Sequence, residues 1–336
     1  MKMSDFEIFT SQLTKQNVLI VGDVMIDAYI WGGVDRISPE APVPVVAETR
    51  RENRLGGAAN VALNIRALGA NPILCTVLGH DAKSHDFETM MANADMTAEG
   101  ILTSETRITT VKYRIIGNKT QLLRVDKEIT DPLSEEDEAK LIERISNLLE
   151  TKNISAIVFQ DYDKGCITPR IIAEVTAMAN AKGVPTTVDP KHRNFLNFKS
   201  VTLFKPNLKE LSEGLDMDSK SIGEKELRMA AERLHVSQNI DIVFVTLSDK
   251  GAFIADFRKD EPNTMMVPAH LRKISDVSGA GDTVISVATL CLSMGLPVET
   301  LLKYSNLAGG IVCETVGVVP IDRQRLFDEI QCVFGN

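Results

Sequence analysis

Short apolar segments alternate with amphipathic segments along most of the chain, and this order constrains the fold more than any other feature. The apolar segments have the length and composition of buried strands, and most of the segments between them are predicted helices. The predicted strands are 17–24, 71–79, 154–160, 184–190, 201–207 and 240–247. Strands that alternate with helices predict a doubly wound α/β fold, with a mostly parallel sheet flanked by helices.

Two segments interrupt this alternation. Residues 28–54 carry three prolines and a strand-like run, and residues 107–126 alternate like a hairpin with a predicted turn at Gly117-Asn118. We expect both segments to form a small β-lid that projects from the sheet, because long excursions from a compact domain are usually functional. No flexible linker or internal repeat divides the sequence, so residues 1–336 are predicted to form a single domain.

Composition and charge exclude several classes of function. A net charge of −9 argues against nucleic acid and anionic membranes as partners. The five cysteines are scattered, which is typical of reduced thiols in the cytoplasm, and the five histidines lack zinc-binding spacing. The N-terminus lacks the apolar core of a signal peptide, and polar residues interrupt the apolar run that begins at Thr283. We therefore expect a cytoplasmic protein.

The stretch SDVSGAGDTVISVATL, residues 275–290, carries the strongest chemical signal. It is not a dinucleotide fingerprint, because Val284 stands where the third glycine belongs and no further strand–helix units follow. Glycines at a helix start instead favour an anion hole built from backbone N–H groups. Asp282 in the first turn could take a proton from an attacking hydroxyl, or could simply complement the helix N-terminus.

Three motifs, in order, resemble those of the ribokinase-like (PfkB) carbohydrate kinases. They are LGGAANVALNIRALGA at 55–70, KPNLKEL at 205–211 and DVSGAGD at 276–282, with Ser278 where threonine is usual. Further stretches, including RISPEAPVPVV and DYDKG, resemble the members that phosphorylate D-glycero-D-manno-heptose 7-phosphate. In many bacteria that kinase is fused to a nucleotidyltransferase. No HxGH motif occurs here, so the chain resembles the single-function form.

The resemblance implies roles for residues at the catalytic and nucleotide ends of the site. Asp282 would be the catalytic base, and the backbone of Gly279, Ala280 and Gly281 would form the anion hole. The residues implied for ATP are Asn207, Glu210, Thr246, Gly251 and Asn306, with segment 312–317 near the adenine. Glu210 would hold Mg²⁺ through water, or be a solvated helix residue. Some relatives bind a monovalent cation near the position of Ser278, which makes K⁺ a further candidate cofactor.

The sugar end of the implied site contains carboxylates, small residues and cations. Asp23 and Asp27 would accept hydrogen bonds from sugar hydroxyls, unless they act as local caps, and Gly56, Gly57 and Asn60 would lie against the sugar. The lid segments are rich in Lys and Arg, which a sugar phosphate needs and a neutral sugar does not. A solvated edge-strand face is the simpler explanation for most of these cations. Those predicted to bind the second phosphate are Arg114, Arg124, Lys164 and Lys191.

The resemblance therefore implies an ATP- and Mg²⁺-dependent kinase for the anomeric hydroxyl of heptose 7-phosphate, on the path to ADP-heptose and lipopolysaccharide. Two alternatives stay open: a kinase of the same family for another sugar such as ribose or fructose, and a catalytically silent sugar- or nucleotide-binding regulator. Because unpaired lid edges need cover, we also expect a homodimer joined through the lid.

Overall fold

The computed structural model describes residues 3–218 and 222–335. The strands are β1 (Asn17–Gly22), β2 (Val24–Ile37), β3 (Pro44–Gly57), β4 (Asn71–Gly79), β5 (Ile101–Ser104), β6 (Val111–Gly117), β7 (Thr120–Lys127), β8 (Ala156–Gln160), β9 (Thr186–Asp189), β10 (Leu203–Phe204), β11 (Ile242–Thr246), β12 (Ala252–Asp256) and β13 (Asn263–Val267). The α-helices are α1 (Asp5–Gln12), α2 (Ala58–Leu68), α3 (Ala82–Asn93), α4 (Glu135–Thr151), α5 (Pro169–Ala181), α6 (Leu208–Leu215), α7 (Glu224–Gln238), α8 (Ala280–Ser293), α9 (Val298–Val312) and α10 (Arg323–Phe334).

Nine strands form the main sheet, in the order β13-β12-β11-β10-β9-β8-β1-β4-β5. Neighbours from β11 to β5 pair in parallel, and β12 and β13 add an antiparallel edge. The predicted fold class, a doubly wound and mostly parallel sheet flanked by helices, is confirmed. The predicted strand 201–207 is reduced to the two residues of β10.

Apolar residues cover both faces of the main sheet. In β1, Val18 and Ile20 pack into one hydrophobic cluster with residues of α2, α8 and α9. Leu19 and Val21 point the other way, into a cluster with residues of α4, α5 and α7. This alternation along a strand buried on both sides explains why the sequence shows a continuous apolar run there.

The remaining four strands form a separate sheet in the order β3-β2-β6-β7, called the lid sheet below. β2 pairs antiparallel with β3 and parallel with β6, and β6 and β7 form a hairpin. The turn lies at Asn118-Lys119, one residue after the predicted Gly117-Asn118. Both turn residues have positive φ, 49° and 68°, as a two-residue type I′ turn requires, and this geometry fixes the position of the turn.

The glycine-rich segment 56–70 is helical only from Ala58 to Leu68, because Gly56 and Gly57 end strand β3. Gly69 caps the helix in the left-handed conformation at φ 101°, as its position predicts. The lid sheet therefore runs directly into the helix that packs against α8. Within the two described ranges, no helix is both long and apolar enough to cross a bilayer.

Candidate active site

A cleft of about 1540 Å³ lies at the carboxyl ends of the main-sheet strands. Its walls come from residues at or just after the ends of β8, β9, β10 and β11, together with the start of α8 and part of α9. Open α/β sheets bind ligands at this edge. The sequence-predicted residues that line the cleft are Lys191, Asn207, Glu210, Thr246, Gly251, Gly279, Ala280, Gly281, Asp282 and Asn306.

Asp282 lies in the first turn of α8 and is 5% exposed. Gly279 caps this helix at φ 82°, a left-handed conformation that favours glycine. The carboxylate accepts hydrogen bonds from the Asn60 amide at 2.7 Å, the Tyr162 hydroxyl at 2.7 Å and the Gln160 amide at 3.1 Å. Donors from α2, from the end of β8 and from the loop after β8 therefore fix its orientation, which a plain helix cap would not need.

Burial raises the pKa of Asp282 to about 6, although the hydrogen bonds from Asn60 and Tyr162 lower it. The nearby carboxylate of Asp189 raises this pKa further, and Lys205 lowers it. A carboxyl group with a pKa close to the working pH is suited to accept a proton in the transition state. The geometry and the electrostatics both fit the role of a general base.

A second set of buried groups surrounds this carboxylate. The Gln160 amide lies 3.2 Å from Asp189 Oδ2, so one NH₂ group bridges the Asp189 and Asp282 carboxylates. Lys205 is 2% exposed, and its Nζ lies 3.1 Å from Asp189 Oδ2.

Sequence reasoning missed Gln160, Tyr162, Asp189 and Lys205 as site residues. The available signal was their position, because each stands at or next to the carboxyl end of a predicted strand.

The backbone at the start of α8 differs from the predicted anion hole. The N–H of Ala280 already donates to the Val277 carbonyl at 3.2 Å. The N–H groups of Gly281 and Asp282 have no acceptor within the described part of the chain. We therefore centre the proposed anion hole on Gly281 and Asp282 rather than on Ala280, because first-turn N–H groups without partners are the ones that can bind an anion.

Asn207 and Glu210 form a reciprocal capping box at the start of α6. Asn207 Oδ1 accepts from the Glu210 N–H at 2.8 Å, and Glu210 Oε2 accepts from the Asn207 N–H at 2.9 Å. The other oxygen of Glu210, Oε1, pairs with Lys191 Nζ. The capping box explains why this motif has its spacing, and it holds the Glu210 carboxylate at the wall of the cleft.

Lys191 does not lie among the lid cations, where its predicted role would place it. Its Nζ pairs with Glu210 and lies 5.6 Å from the centre of the Tyr162 ring. Burial lowers the pKa of Lys191, but the carboxylates of Asp189 and Glu210 raise it above its ordinary value. Lys191 is therefore a cation of the cleft, and we move it from the sugar-phosphate set to the nucleotide set.

The other nucleotide-side residues lie further along the cleft. Thr246 ends β11 and forms an isolated parallel bridge with Asn207. Gly251 has φ 95°, and a side chain there would collide with the Val267 carbonyl, so the turn into β12 requires glycine. Asn306, on α9, donates a hydrogen bond to the Pro268 carbonyl at 2.9 Å.

The carboxylate of Asp23 binds the backbone of the loop after β8. Its carboxylate accepts from three backbone N–H groups, those of Tyr162 at 2.8 Å, Lys164 at 3.1 Å and Cys166 at 2.8 Å. Because these donors occupy a side chain that is only 2% exposed, we assign Asp23 to holding the loop after β8.

Asp27, by contrast, sits where β2 enters the lid sheet and pairs with Arg114 on β6. A side chain at Gly56 would collide with the Asp27 carboxylate, and one at Gly57 with the Asp23 carbonyl. These two glycines therefore let β3 pass close to the Asp27 carboxylate and the Asp23 backbone, and Asn60 then follows on α2 with its contact to Asp282. Asp27 and Asn60 remain our candidates for contacts to sugar hydroxyls.

The three remaining predicted cations lie in or next to the lid sheet. Arg114 and Arg124 are directly opposite each other on β6 and β7, and Arg124 Nε also donates to Asp126 Oδ1 at 3.0 Å. Lys164 Nζ pairs with Glu128 at 2.9 Å, just beyond β7. Arg114 and Arg124 therefore share the lid sheet with Asp27, and Lys164 lies at its border, whereas Lys191 lines the cleft.

The residues present fit the Mg²⁺ that carbohydrate kinases use with ATP. Glu210 brings one carboxylate to the cleft wall, and Mg²⁺ in nucleotide sites usually takes one or two carboxylates, several waters and the phosphates. Across residues 3–218 and 222–335 no cluster of three or more His, Cys, Asp or Glu forms a complete metal cage. We therefore take Glu210 as the residue that would hold Mg²⁺.

Comparison with known proteins agrees with this geometry. A family model described as "pfkB family carbohydrate kinase" matches residues 15–323. The chain is 37% identical over 314 residues to the bifunctional protein HldE of Methylobacillus flagellatus, covering 94% of this chain and 63% of that protein. It is 34% identical to the HldE of Geotalea uraniireducens, covering 98% of this chain and 66% of that one. The chain thus spans about two thirds of the length of these relatives.

Solved structures share the fold at low sequence identity. Phosphofructokinase-2 from Escherichia coli, in complex with fructose-6-phosphate, superposes with a TM-score of 0.74 and 19% identity, covering 94% of this chain and 99% of that one. Ribokinase from Arabidopsis thaliana, complexed with ribose and ATP, gives a TM-score of 0.69 and 17% identity, covering 93% and 98%. These likenesses confirm the predicted fold, and the family match and the HldE relatives confirm the predicted enzyme class, a sugar kinase. The chain belongs to the pfkB family of carbohydrate kinases.

Proposed function

We propose that this kinase transfers the γ-phosphoryl group of ATP to the anomeric hydroxyl of D-glycero-D-manno-heptose 7-phosphate. The product is heptose 1,7-bisphosphate, formed in the cytoplasm on the path to ADP-heptose and lipopolysaccharide. The observation that carries the proposal is the buried Asp282 carboxylate, which lines the cleft and accepts a hydrogen bond from Asn60 on the helix that follows lid strand β3. The similarity to the HldE proteins supports the heptose.

In this proposal the described residues divide the tasks of the reaction among them. Asp282 accepts the proton of the sugar hydroxyl, and the N–H groups of Gly281 and Asp282 stabilise charge on the transferring phosphoryl group. Asp27 and Asn60 orient the sugar, and Lys191 faces the phosphates of the nucleotide. Such positioning and charge stabilisation supply most of the catalysis in phosphoryl transfer.

The pairing of Arg114 with Arg124 supports a substrate that already carries a phosphate. Like charges directly opposite each other on two strands destabilise a sheet, so this arrangement has a cost. Asp27 and Asp126 offset part of it by pairing with one arginine each. A bound phosphate would offset the rest, because guanidinium groups bind phosphate in a forked geometry.

A kinase for fructose 6-phosphate or ribose is the second candidate, because solved neighbours are described with fructose-6-phosphate and with ribose. A coupled ADP-release assay with a panel of free and phosphorylated heptoses, ribose and fructose separates the candidates. We expect heptose 7-phosphate to give the highest kcat/KM. A higher value for another sugar would transfer the assignment to that sugar, and no turnover with any of them would favour a silent binding protein.

We expect Glu210→Gln to raise the Mg²⁺ concentration for half-maximal rate by about tenfold or more, the usual cost of losing one group around a bound metal. Glutamine can still complete the capping box, so the substitution removes the charge and keeps the helix start. Glu226→Gln is the matched control, because Glu226 has the same capping-box position on α7. A metal titration unchanged by Glu210→Gln would remove Glu210 from the metal site.

The same assay with KCl against tetramethylammonium chloride tests activation by K⁺.

We further propose a homodimer joined through the lid sheet. Leu123 and Val125 are 53% and 47% exposed and flank Arg124 on β7, so they point to the face opposite the arginine pair. Exposed apolar side chains on an open sheet are typical of surfaces that become covered.

We expect a dimer by light scattering, and a monomer after Val125→Asp in combination with Leu123→Asp. Two buried aspartates would cost far more than the apolar contacts they replace. Val236→Asp on the outer face of α7, where Val236 is 83% exposed, should leave the mass unchanged. A dimer that survives the double substitution would place the interface elsewhere, and a monomeric unmodified chain would contradict the proposal outright.

A further inference from the structure

The hydrogen bonds on the Asp282 carboxylate are divided unequally between its two oxygens. Oδ1 accepts from the Tyr162 hydroxyl at 2.7 Å and from the Gln160 amide at 3.1 Å. Within the described part of the chain, Oδ2 accepts from Asn60 alone, at 2.7 Å. An ionised carboxylate has about four acceptor sites, two on each oxygen. Oδ1 is therefore filled by protein donors, and a free site remains on Oδ2.

We propose that Tyr162 is a positioning residue for the base, which with Gln160 fills Oδ1 of Asp282 and so directs the sugar proton to Oδ2. The sugar hydroxyl gives its proton to Oδ2 while its oxygen forms a bond to the γ-phosphorus of ATP. The bond from that phosphorus to the β–γ bridging oxygen breaks, and ADP leaves with the electron pair. This inference rests on the proposed kinase reaction, and it holds for whichever sugar is the acceptor.

The surroundings of Tyr162 hold its hydroxyl in place. Its backbone N–H donates to Asp23 Oδ2 at 2.8 Å, and the same carboxylate binds two further N–H groups of the loop. Lys191 Nζ lies 5.6 Å from the ring centre, within the range of a cation–π contact. By holding this loop, Asp23 therefore helps to position the Tyr162 hydroxyl that binds the Asp282 carboxylate.

Other charged groups also face Asp282, and the test must separate them from Tyr162. Asp189 ends β9, Lys205 follows β10, and Lys191 follows β9. Asp189 raises the pKa of Asp282 and Lys205 lowers it, and Lys191 also interacts electrostatically with this carboxylate. Tyr162→Phe leaves all three charges in place and removes only the hydroxyl, so it isolates the hydrogen bond.

The test compares kcat/KM against pH for the full chain and for Tyr162→Phe. In the unmodified chain the rate should fall as pH drops through the pKa of Asp282, about 6, because the base must be ionised. Loss of a hydrogen bond to the ionised carboxylate should raise its pKa, so this acid limb of the pH profile should move up by about one to two pH units. The dissociation constant for ATP should change less than about threefold, because the hydroxyl contacts the base and not the nucleotide.

Tyr304→Phe is the matched control, since Tyr304 is buried on α9 among Phe9 and Phe334. It should leave the pH limb unchanged. An unshifted limb in Tyr162→Phe, whatever happens to kcat, would overturn the proposal and leave Tyr162 as part of the cleft wall.

Two further measurements keep the test decisive. If Tyr162→Phe does not fold, Gln160→Met removes the other donor to Oδ1. It should shift the acid limb in the same direction, and an unshifted limb in this variant would also contradict the proposal. Titration of the Asp282 carboxyl carbon by NMR in ¹³C-aspartate-labelled protein needs no sugar. Failure to phosphorylate heptose 7-phosphate would therefore refute the proposed function without deciding this inference.

Discussion

Asp282→Asn should lower turnover by about 10²- to 10⁴-fold, the usual contribution of a general base. Asparagine has nearly the same shape as aspartate but cannot take up the sugar proton at neutral pH. The buried site holds the side chain through Asn60, Tyr162 and Gln160, so a water molecule cannot easily replace the carboxylate. ATP affinity should change little. Steady-state kinetics and nucleotide titration of the purified variant measure both effects.

Asp322→Asn provides the matched control. Asp322 caps α10 through the Arg325 N–H at 2.9 Å, and asparagine is an equally good N-cap. The control should keep full activity and full thermal stability. Turnover close to that of the unmodified chain in Asp282→Asn would show that another group accepts the proton.

Arg124→Ala should lower kcat/KM for heptose 7-phosphate by about ten- to hundredfold, the range expected for a charge-assisted hydrogen bond to phosphate. Free heptose should be affected much less, because it has no group for this cation. Arg114→Ala should have at least as large an effect, since it also removes the partner of Asp27. The ratio of kcat/KM for the two sugars isolates the phosphate contact from any general loss of activity.

The matched control for these variants is Arg228→Ala. Arg228 pairs with Glu224 on the surface of α7, outside the lid sheet. It should leave the ratio of the two sugars unchanged. Lys191→Ala should instead weaken ATP and heptose 7-phosphate turnover together, because Lys191 lies beside Glu210 in the cleft. Equal losses for both sugars in Arg124→Ala would contradict a phosphate site at the arginine pair.

The fold class could be predicted because it depends on local patterns that repeat along the chain. Apolar runs separated by helical segments admit few packings other than a parallel sheet covered on both faces. The two segments that broke this pattern became the lid sheet, with an error of one residue at the 118–119 turn. Local sequence could not avoid that error, since strand register decides which residues form the turn.

Within the site, the DVSGAGD and KPNLKEL motifs determined where Asp282, Gly279 and the Asn207–Glu210 pair would lie, because the first needs a left-handed glycine and the second forms a capping box. The partners of each charged side chain were decided only by the tertiary structure. Asp23 and Asp27 look alike in the sequence, four residues apart, yet one binds three loop N–H groups and the other an arginine. Lys191, Gln160 and Tyr162 gain their roles from strands that meet only after folding. Pairing between residues more than 100 positions apart, as in Asn60 with Asp282, depends on packing and leaves no periodic trace in the chain.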